Sequence, residues 1–343
     1  MTVRALLDGA AAVAGEPHVV ATVVAVHGSS YRRPGARMIA TSERRIAGAI
    51  SGGCLEGDVV RRGMWLTEHG PALVTYDASE DGTGSGCNGT IEVLLERGLS
   101  SISGVDPLAI LARCMREQRR VTLATRFRGG FHRAELVDHI EHRVLAATVE
   151  GDYLVEVLAP PPRLFVLGAG IDAVPVIEQA RAVGWEVIVC VPYARTELHA
   201  RLARADRIAI ARPAPIAALI DASDRAAAVI MNHDYQHDRA CLGALLGSTA
   251  RYIGVLGPRK RTARMLEELG LAADARVHAP VGLEIGAECA EEIGLAIVAE
   301  VQACLARAPA HSLRSRIGAI HDGPVVAAMH DGPAALDDEV RAR

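Results

Sequence analysis

The stretch RLFVLGAGIDAVPVIEQARAVGWEVIVCV, residues 163–191, decides the fold of the second half of the chain. An apolar run ends in the glycine pair Gly168 and Gly170, a helical pattern follows, and a second apolar run closes the stretch. Strand, glycine turn, helix and strand in this order are typical of a parallel βαβ unit. Further strands are predicted at RIAIA (207–211), AAVIMN (227–232) and YIGVLG (252–257), and a long helix at 283–308. This alternation predicts a doubly wound, Rossmann-like parallel sheet.

Three consecutive prolines at 160–162 separate this region from a first half with a different pattern. Proline removes backbone donors and favours an extended chain, so we expect a linker there. We predict a mixed α/β domain over 1–159, the Rossmann-like domain over 163–308 and a tail over 309–343. Helices of the first domain are expected at its start, at 55–69 and at 107–117. Its strands are expected at 18–27, 37–41, 45–50, 72–77, 90–96, 120–127, 143–149 and 152–158.

The composition excludes several classes of function. The 343 residues carry a net charge of -4 and only 3% aromatic residues, so a general nucleic-acid-binding role is not expected. No uninterrupted apolar run approaches the length that crosses a bilayer, so we expect a soluble protein without a membrane partner. Seven scattered cysteines fit a reducing cytoplasm better than a disulfide framework, and we expect a cytoplasmic protein.

Residues 48–57, GAISGGCLEG, place Cys54 directly after Gly52 and Gly53 and two residues before Glu56. Glycine lets a ligand come close to the main chain, so this frame indicates access to the sulfur. Cys87, in a second glycine-rich loop, is its candidate partner, and the candidate ligand-binding residues of the two loops are Gly52, Gly53, Cys54, Glu56 and Cys87. Neither thiol has a Cys or His at the spacing of a zinc site, which leaves a soft metal, a sulfur-transfer intermediate, a reversible disulfide or two buried structural cysteines.

Two basic clusters are candidate anion sites. GSSYRRPGARM, residues 28–38, carries Arg32, Arg33 and Arg37 in a turn-rich loop, where guanidinium groups and backbone donors suit a phosphate. The alternative is a solvated hairpin with charged edges. Arg259 and Lys260 follow the strand at 252–257 and open a predicted helix, where they could hold an anion or form a charged first turn.

The glycine turn at 168–173 has the GxGxxA form of a phosphate-binding turn, but the next strand ends at Pro192 without a ribose-binding acid. NAD(P) is therefore a weak candidate cofactor, and the alternative is that both glycines serve only packing. Asn232-His233-Asp234 ends another predicted strand. An acid/base pair, a metal site or a helix cap would fit these residues, and we favour the cap.

Taken together, these stretches resemble the XdhC/CoxI family of accessory proteins for molybdenum hydroxylases. The similarity runs through nearly the whole chain: GSSYRRPGARM, GAISGGCLEGDV, GCNGTIEVLLE, LFVLGAGIDAVPV, NHDYQHDRACLGALL, YIGVLGPRKR and APVGLEIGAECAEEIGLAIVAE. Five places in the second domain depart from the family pattern, 171–172, 192, 232, 258 and 289–290, and Asn88 departs from it in the first domain.

The resemblance implies a maturation chaperone that binds the molybdenum cofactor, protects it, supports its sulfuration by a cysteine desulfurase and delivers it to an apo molybdenum hydroxylase. It implies a homodimer and no substrate turned over by the protein itself. Cys54 would then approach the molybdenum or its sulfur, because a thiolate suits soft metal contacts, and Arg32, Arg33 and Arg37 would hold the pterin phosphate. The rivals are an NAD(P)-dependent oxidoreductase and a redox protein that cycles Cys54 with Cys87.

Overall fold

The computed structural model describes residues 2–28, 31–77, 89–98, 102–136, 147–193, 202–221, 223 and 225–317. The chain forms two units, the first ending at Pro160 and the second beginning at Pro161. The helices in these residues are α1 (Val3–Ala12), α2 (Glu56–Leu66), α3 (Pro107–Glu117), α4 (Ala173–Ala182), α5 (Pro213–Asp221), α6 (Tyr235–Leu246), α7 (Arg259–Glu268) and α8 (Ala290–Ala306). No helix of the described chain is long and apolar enough to span a membrane.

The first unit contains a five-stranded antiparallel sheet in the order β3-β2-β1-β5-β4. The strands are β1 (Val19–Gly28), β2 (Arg37–Ala40), β3 (Arg45–Gly48), β4 (Ala72–Asp77) and β5 (Gly89–Arg97). The central strand β1 is apolar on both faces, because both faces are covered. Val19, Ala21 and Val23 pack in one cluster with Val59 of α2, and Val24 packs in another on the opposite face.

A second, four-stranded antiparallel sheet in this unit has the order β7-β6-β9-β8. Its strands are β6 (Val121–Arg126), β7 (His132–Leu136), β8 (Thr148–Glu150) and β9 (Tyr153–Leu158). The sequence does not predict β7, because HRAEL places a charged Arg133 where a core residue would be expected. Arg133 is 2% exposed, and its guanidinium donates to both carboxylate oxygens of Glu96 at 2.8 and 2.7 Å.

The second unit is a six-stranded parallel sheet in the order β12-β11-β10-β13-β14-β15. Its strands are β10 (Arg163–Leu167), β11 (Glu186–Val191), β12 (Arg207–Ile210), β13 (Ala226–Ile230), β14 (Tyr252–Val255) and β15 (Val277–His278). Numbered within the unit this order is 3-2-1-4-5-6, which is the Rossmann arrangement. Two apolar clusters cover the two faces, one including α4 and α8 and the other including α5 and α6. The predicted fold class is confirmed.

Helix α8 begins at Ala290, seven residues later than the predicted start at 283. The chain before it is not helical because Gly282 and Gly286 adopt φ angles of +105° and +76°. The helix begins at a capping box, in which the backbone N–H of Cys289 donates to the carboxylate of Glu292. The glutamates that suggested an earlier helical turn therefore lie in the connection and at the cap.

Candidate functional site: the cysteine loop of the first unit

Three connections leave the five-stranded sheet at the same end. β1, β3 and β4 run in one direction, because β1 and β3 both pair antiparallel with β2, and β1 and β4 both pair antiparallel with β5. The ends of these strands, Gly28, Gly48 and Asp77, therefore lie at one end of the sheet. The arginine loop (residues 31–36) and the Cys54 loop (residues 49–55) lie beside each other at their bases, where the Ala49 N–H donates to the carbonyl of Arg37 at 3.1 Å. Cys87 lies outside the described residues, so its pairing with Cys54 stays a prediction.

The Cys54 loop is organised around the hydroxyl group of Ser51. This oxygen accepts hydrogen bonds from the backbone N–H groups of Gly53 at 3.1 Å and Leu55 at 3.2 Å. The Cys54 thiol also donates to it, with an Sγ to Oγ distance of 3.6 Å. Cys54 is exposed while Ser51 is buried, so the loop holds the sulfur at the surface over a fixed polar centre.

Glu56, the first residue of α2, fixes this centre from the inside. Its carboxylate accepts from the backbone N–H groups of Ile50 at 3.0 Å and Ser51 at 2.8 Å, and from the Ser51 hydroxyl at 2.5 Å. Burial acts to raise the pKa of Glu56, but these hydrogen bonds outweigh it and hold the pKa below its usual value. The prediction that Glu56 contacts the ligand is therefore revised, because its carboxylate is buried and engaged by the loop.

Glycine has two different uses around this loop. A Cβ on Gly48 would lie 2.1 Å from the carbonyl oxygen of Arg37, so glycine is required where β3 meets β2. A Cβ on Gly52 or Gly53 would meet no atom of the described residues within 4 Å. Gly53 needs glycine for its φ of +133°, whereas Gly52 carries no such conformational requirement. The described residues therefore leave the space beside Cys54 open. No packing contact explains why neither position carries a side chain.

Two of the three predicted arginines lie on the arginine loop, and one of them, Arg32, is half-buried. Arg33 is exposed, and the Arg32 guanidinium lies 5.2 Å from the ring centroid of the exposed Tyr31. Gly35, with a φ of +87°, closes the turn, and its N–H donates to the carbonyl of Val23 at 2.8 Å. This hydrogen bond attaches the loop to β1 at the same end of the sheet as the Cys54 loop.

Arg37 is not on this loop, and its predicted role is corrected. It begins β2, its side chain is 4% exposed, and its guanidinium pairs with both carboxylate oxygens of the equally buried Glu156 on β9. Removing the partner of a buried charge is strongly destabilising. The Arg37 guanidinium is therefore needed in the ion pair that joins the two sheets of the unit. The sequence could not reveal this because the partner is 119 residues away.

In the second unit, protein atoms account for the first predicted glycine of the turn after β10, Gly168, and lie at ordinary contact distance from the second, Gly170. A Cβ on Gly168 would lie 2.4 Å from the carbonyl oxygen of Met231, and a Cβ on Gly170 would lie 3.5 Å from Nε2 of His233. His233 has a φ of 62°, and its Nε2 lies 3.3 Å from Oδ2 of Asp172. The glycines therefore permit close packing of the β10 turn against the segment after β13.

The NHDYQHD segment forms a helix cap, as favoured from the sequence. Asp234 is the N-cap of α6, and its carboxylate accepts from the His237 N–H at 2.8 Å. Asp238 is 1% exposed and accepts from the Asn232 side chain at 2.9 Å and from Arg261 of α7 at 2.8 Å. This link was not predicted, because Asp238 and Arg261 are distant in the sequence.

Arg259 and Lys260 are exposed at the start of α7, after Gly257 with its φ of +122°. Their role as anion ligands stays a prediction. Within the described chain, no group of three or more His, Cys, Asp or Glu side chains could hold a metal ion.

These features define a class of two-unit α/β protein, in which an antiparallel unit presents an accessible thiol in an open glycine loop and a Rossmann-like unit follows. The model of the XdhC and CoxI family matches residues 11–77, and the model of the XdhC Rossmann domain matches residues 164–301. The chain belongs to the XdhC and CoxI family, and the resemblance seen in the sequence is confirmed.

Similar proteins match most of the chain. A relative from Bacillus subtilis, named as a probable subunit of xanthine dehydrogenase, is 33% identical over 319 residues, covering 83% of this chain and 92% of the relative. The molybdenum cofactor insertion chaperone PaoD of Escherichia coli is 26% identical, covering 85% and 84%. A crystal structure described as a xanthine dehydrogenase of Bacillus halodurans is 30% identical with a TM-score of 0.75, covering 92% of this chain and 99% of that one.

Proposed function

We propose that this protein is an accessory protein of a molybdenum hydroxylase. It binds the molybdenum cofactor, protects it, supports its sulfuration by a cysteine desulfurase and delivers it to the apo-hydroxylase. The observation that carries the proposal is the exposed Cys54 thiol beside open space, in a loop fixed by Ser51 and Glu56. Family membership supports it, as does the similarity to PaoD, a molybdenum cofactor insertion chaperone.

The cofactor is cargo, and the residues at this end of the sheet fit its chemistry. The cofactor supplies a molybdenum centre with soft sulfur ligands and an anionic pterin phosphate. A thiol that becomes a thiolate is the side chain suited to the first, and Cys54 is exposed where a ligand could reach it. Guanidinium groups are suited to the second, which gives Arg33 and Arg32 the role of phosphate ligands.

The open face at Gly52 and Gly53 serves the approach of a large planar ligand to the thiol, because neither residue projects a side chain into it. The protein transfers the cofactor from this loop to the apo-hydroxylase and turns over no substrate of its own. A homodimer in the cytoplasm is part of the same proposal.

The experiment is retention of isolated molybdenum cofactor after anaerobic gel filtration, measured as molybdenum and pterin per chain. Wild type is compared with Cys54→Ser and Arg33→Ala, and Cys289→Ser is the matched control because Cys289 is a second exposed thiol, located in the other unit. We expect near-stoichiometric retention by wild type and the control. Loss of one charge-assisted contact weakens binding by about tenfold or more, so both test variants should retain much less.

Two results would overturn the proposal. The first is no retention by wild type under conditions in which a known carrier of the cofactor retains it. The second is equal retention by wild type and Cys54→Ser, which would move the site away from the Cys54 loop.

Sulfuration is tested separately, by adding a cysteine desulfurase with cysteine to the loaded protein and measuring cyanide-labile sulfur on the cofactor. Wild type should gain this sulfur, and unloaded protein should not.

A further inference from the structure

The Rossmann-like unit has the strand order of a dinucleotide-binding sheet, with its switch point between β10 and β13. Proteins of this fold place the pyrophosphate against the glycine turn after the first strand, at the start of the following helix. The second glycine of the turn is small so that the phosphate can approach the backbone. The described residues at this position therefore decide whether the unit accepts such a ligand.

The space beside the second glycine is bordered by protein. A Cβ on Gly170 would stand 3.5 and 3.6 Å from two atoms of the His233 ring, which is ordinary van der Waals contact. The backbone of His233 has a positive φ of 62°, which is uncommon for a residue other than glycine. This conformation sets the ring beside the glycine turn, where the approach to Gly170 would otherwise be open.

The charge at the same place opposes a phosphate. Asp172 is the residue before α4, and its side chain makes no capping hydrogen bond to the helix. Its Oδ2 instead lies 3.3 Å from Nε2 of His233. A carboxylate at a helix N-terminus is favoured by the helix dipole, so it takes the electrostatic role that a bound phosphate would have. A phosphate entering beside it would meet a like charge.

The next strand lacks the usual ribose contact as well. β11 ends at Val191, and neither Pro192 nor Tyr193, the last residues described on this side, carries a carboxylate. We infer that Asp172 and His233 together take the pyrophosphate position of the fold, so that the unit excludes NAD(P). The unit keeps the sheet of a dinucleotide-binding protein and uses its glycine turn for internal packing.

The test measures binding of ADP-ribose, NAD and NADP to the full chain by calorimetry. Wild type is compared with Asp172→Asn, which removes the charge at nearly constant shape, and with Asp172→Asn combined with His233→Asn, which also removes the ring at a residue type that tolerates positive φ. Glu178→Gln is the matched control, because Glu178 is an exposed acid on the same helix α4 and makes the same change in charge.

For wild type and the control we expect dissociation constants weaker than about 1 mM for all three compounds. The single or the double variant should bind ADP-ribose at least about tenfold more tightly than wild type. Binding of NAD or NADP by wild type with a dissociation constant below about 0.1 mM would overturn the inference. It would also be overturned if neither variant bound more tightly than wild type. Circular dichroism spectra that match wild type would show that the variants are folded.

Discussion

Replacement of Glu56 by glutamine tests whether the Cys54 loop is held from the inside. The carboxylate accepts three hydrogen bonds, two from backbone N–H groups and one from the Ser51 hydroxyl. Hydrogen bonds to a charged group contribute about 1.5–3 kcal/mol each and neutral ones about 1 kcal/mol. Glutamine keeps one acceptor oxygen for the backbone N–H groups of Ile50 and Ser51. Its NH₂ group would face the Ser51 hydroxyl, which already accepts from the N–H groups of Gly53 and Leu55.

Each contact loses the difference between a charged and a neutral hydrogen bond, so over three contacts Glu56→Gln should lower the free energy of unfolding of the first unit by about 1.5–6 kcal/mol at pH 7. The assay is urea denaturation followed by circular dichroism, with Glu43→Gln as the control because Glu43 is exposed in a turn. The pKa of Glu56 is lowered in the folded state, so its stabilisation is present above the unfolded pKa and is lost as the pH falls through the folded pKa. The difference between variant and wild type should therefore shrink in acid.

A difference below about 0.5 kcal/mol at pH 7, which is the usual range for surface substitutions, would refute this explanation of the loop. A difference that persisted unchanged at a pH where Glu56 is protonated would refute the role of its charge.

Three further predictions concern the loop glycines, the buried Arg37 ion pair and the thiols of both units. Gly52→Ala should leave the midpoint of unfolding unchanged yet lower cofactor retention, whereas Gly53→Ala, strained at a φ of +133°, should lower stability by about 1–3 kcal/mol. Both are measured by denaturation and gel filtration. Arg37→Met should cost about 3–5 kcal/mol because it leaves Glu156 buried without its partner, and adding Glu156→Leu should recover much of this loss in the same denaturation assay. In native protein, mass spectrometry after brief treatment with iodoacetamide should find Cys54 modified and the buried thiols unmodified, since burial raises the pKa of two of them to about 12: Cys190 and Cys241.

Much of the fold could be predicted because it depends on local patterns. The apolar run at 18–27 became the central strand β1, and the glycine turn at 168–173 became the first βα connection of the parallel sheet. Helix α3 has the predicted bounds, with Asp106 as its N-cap and a proline at its first position. These signals lie within a few residues of one another, so the sequence is sufficient to interpret them.

The errors at the candidate site come from contacts between distant residues. Arg37 looked like a loop arginine, but Glu156 draws it into the core. Glu56 was grouped with the ligand-binding residues because it follows Cys54 closely, and the structure turns its carboxylate back to Ile50 and Ser51. In both cases the charged residue type indicated a specific polar contact, but the sequence did not show which residue makes that contact. The location of Cys54 in an open loop, by contrast, followed from its glycine neighbours alone.

The measurement that decides where the cofactor binds is the rate of alkylation of Cys54 in loaded and unloaded protein, read peptide by peptide. Cys289 serves as the internal control because it is exposed in the other unit. With the cofactor at about ten times its dissociation constant, roughly a tenth of the sites are free, so alkylation of Cys54 should slow by about tenfold while that of Cys289 is unchanged. An unchanged rate at Cys54 in protein that demonstrably carries molybdenum and pterin would contradict a cofactor site at the Cys54 loop.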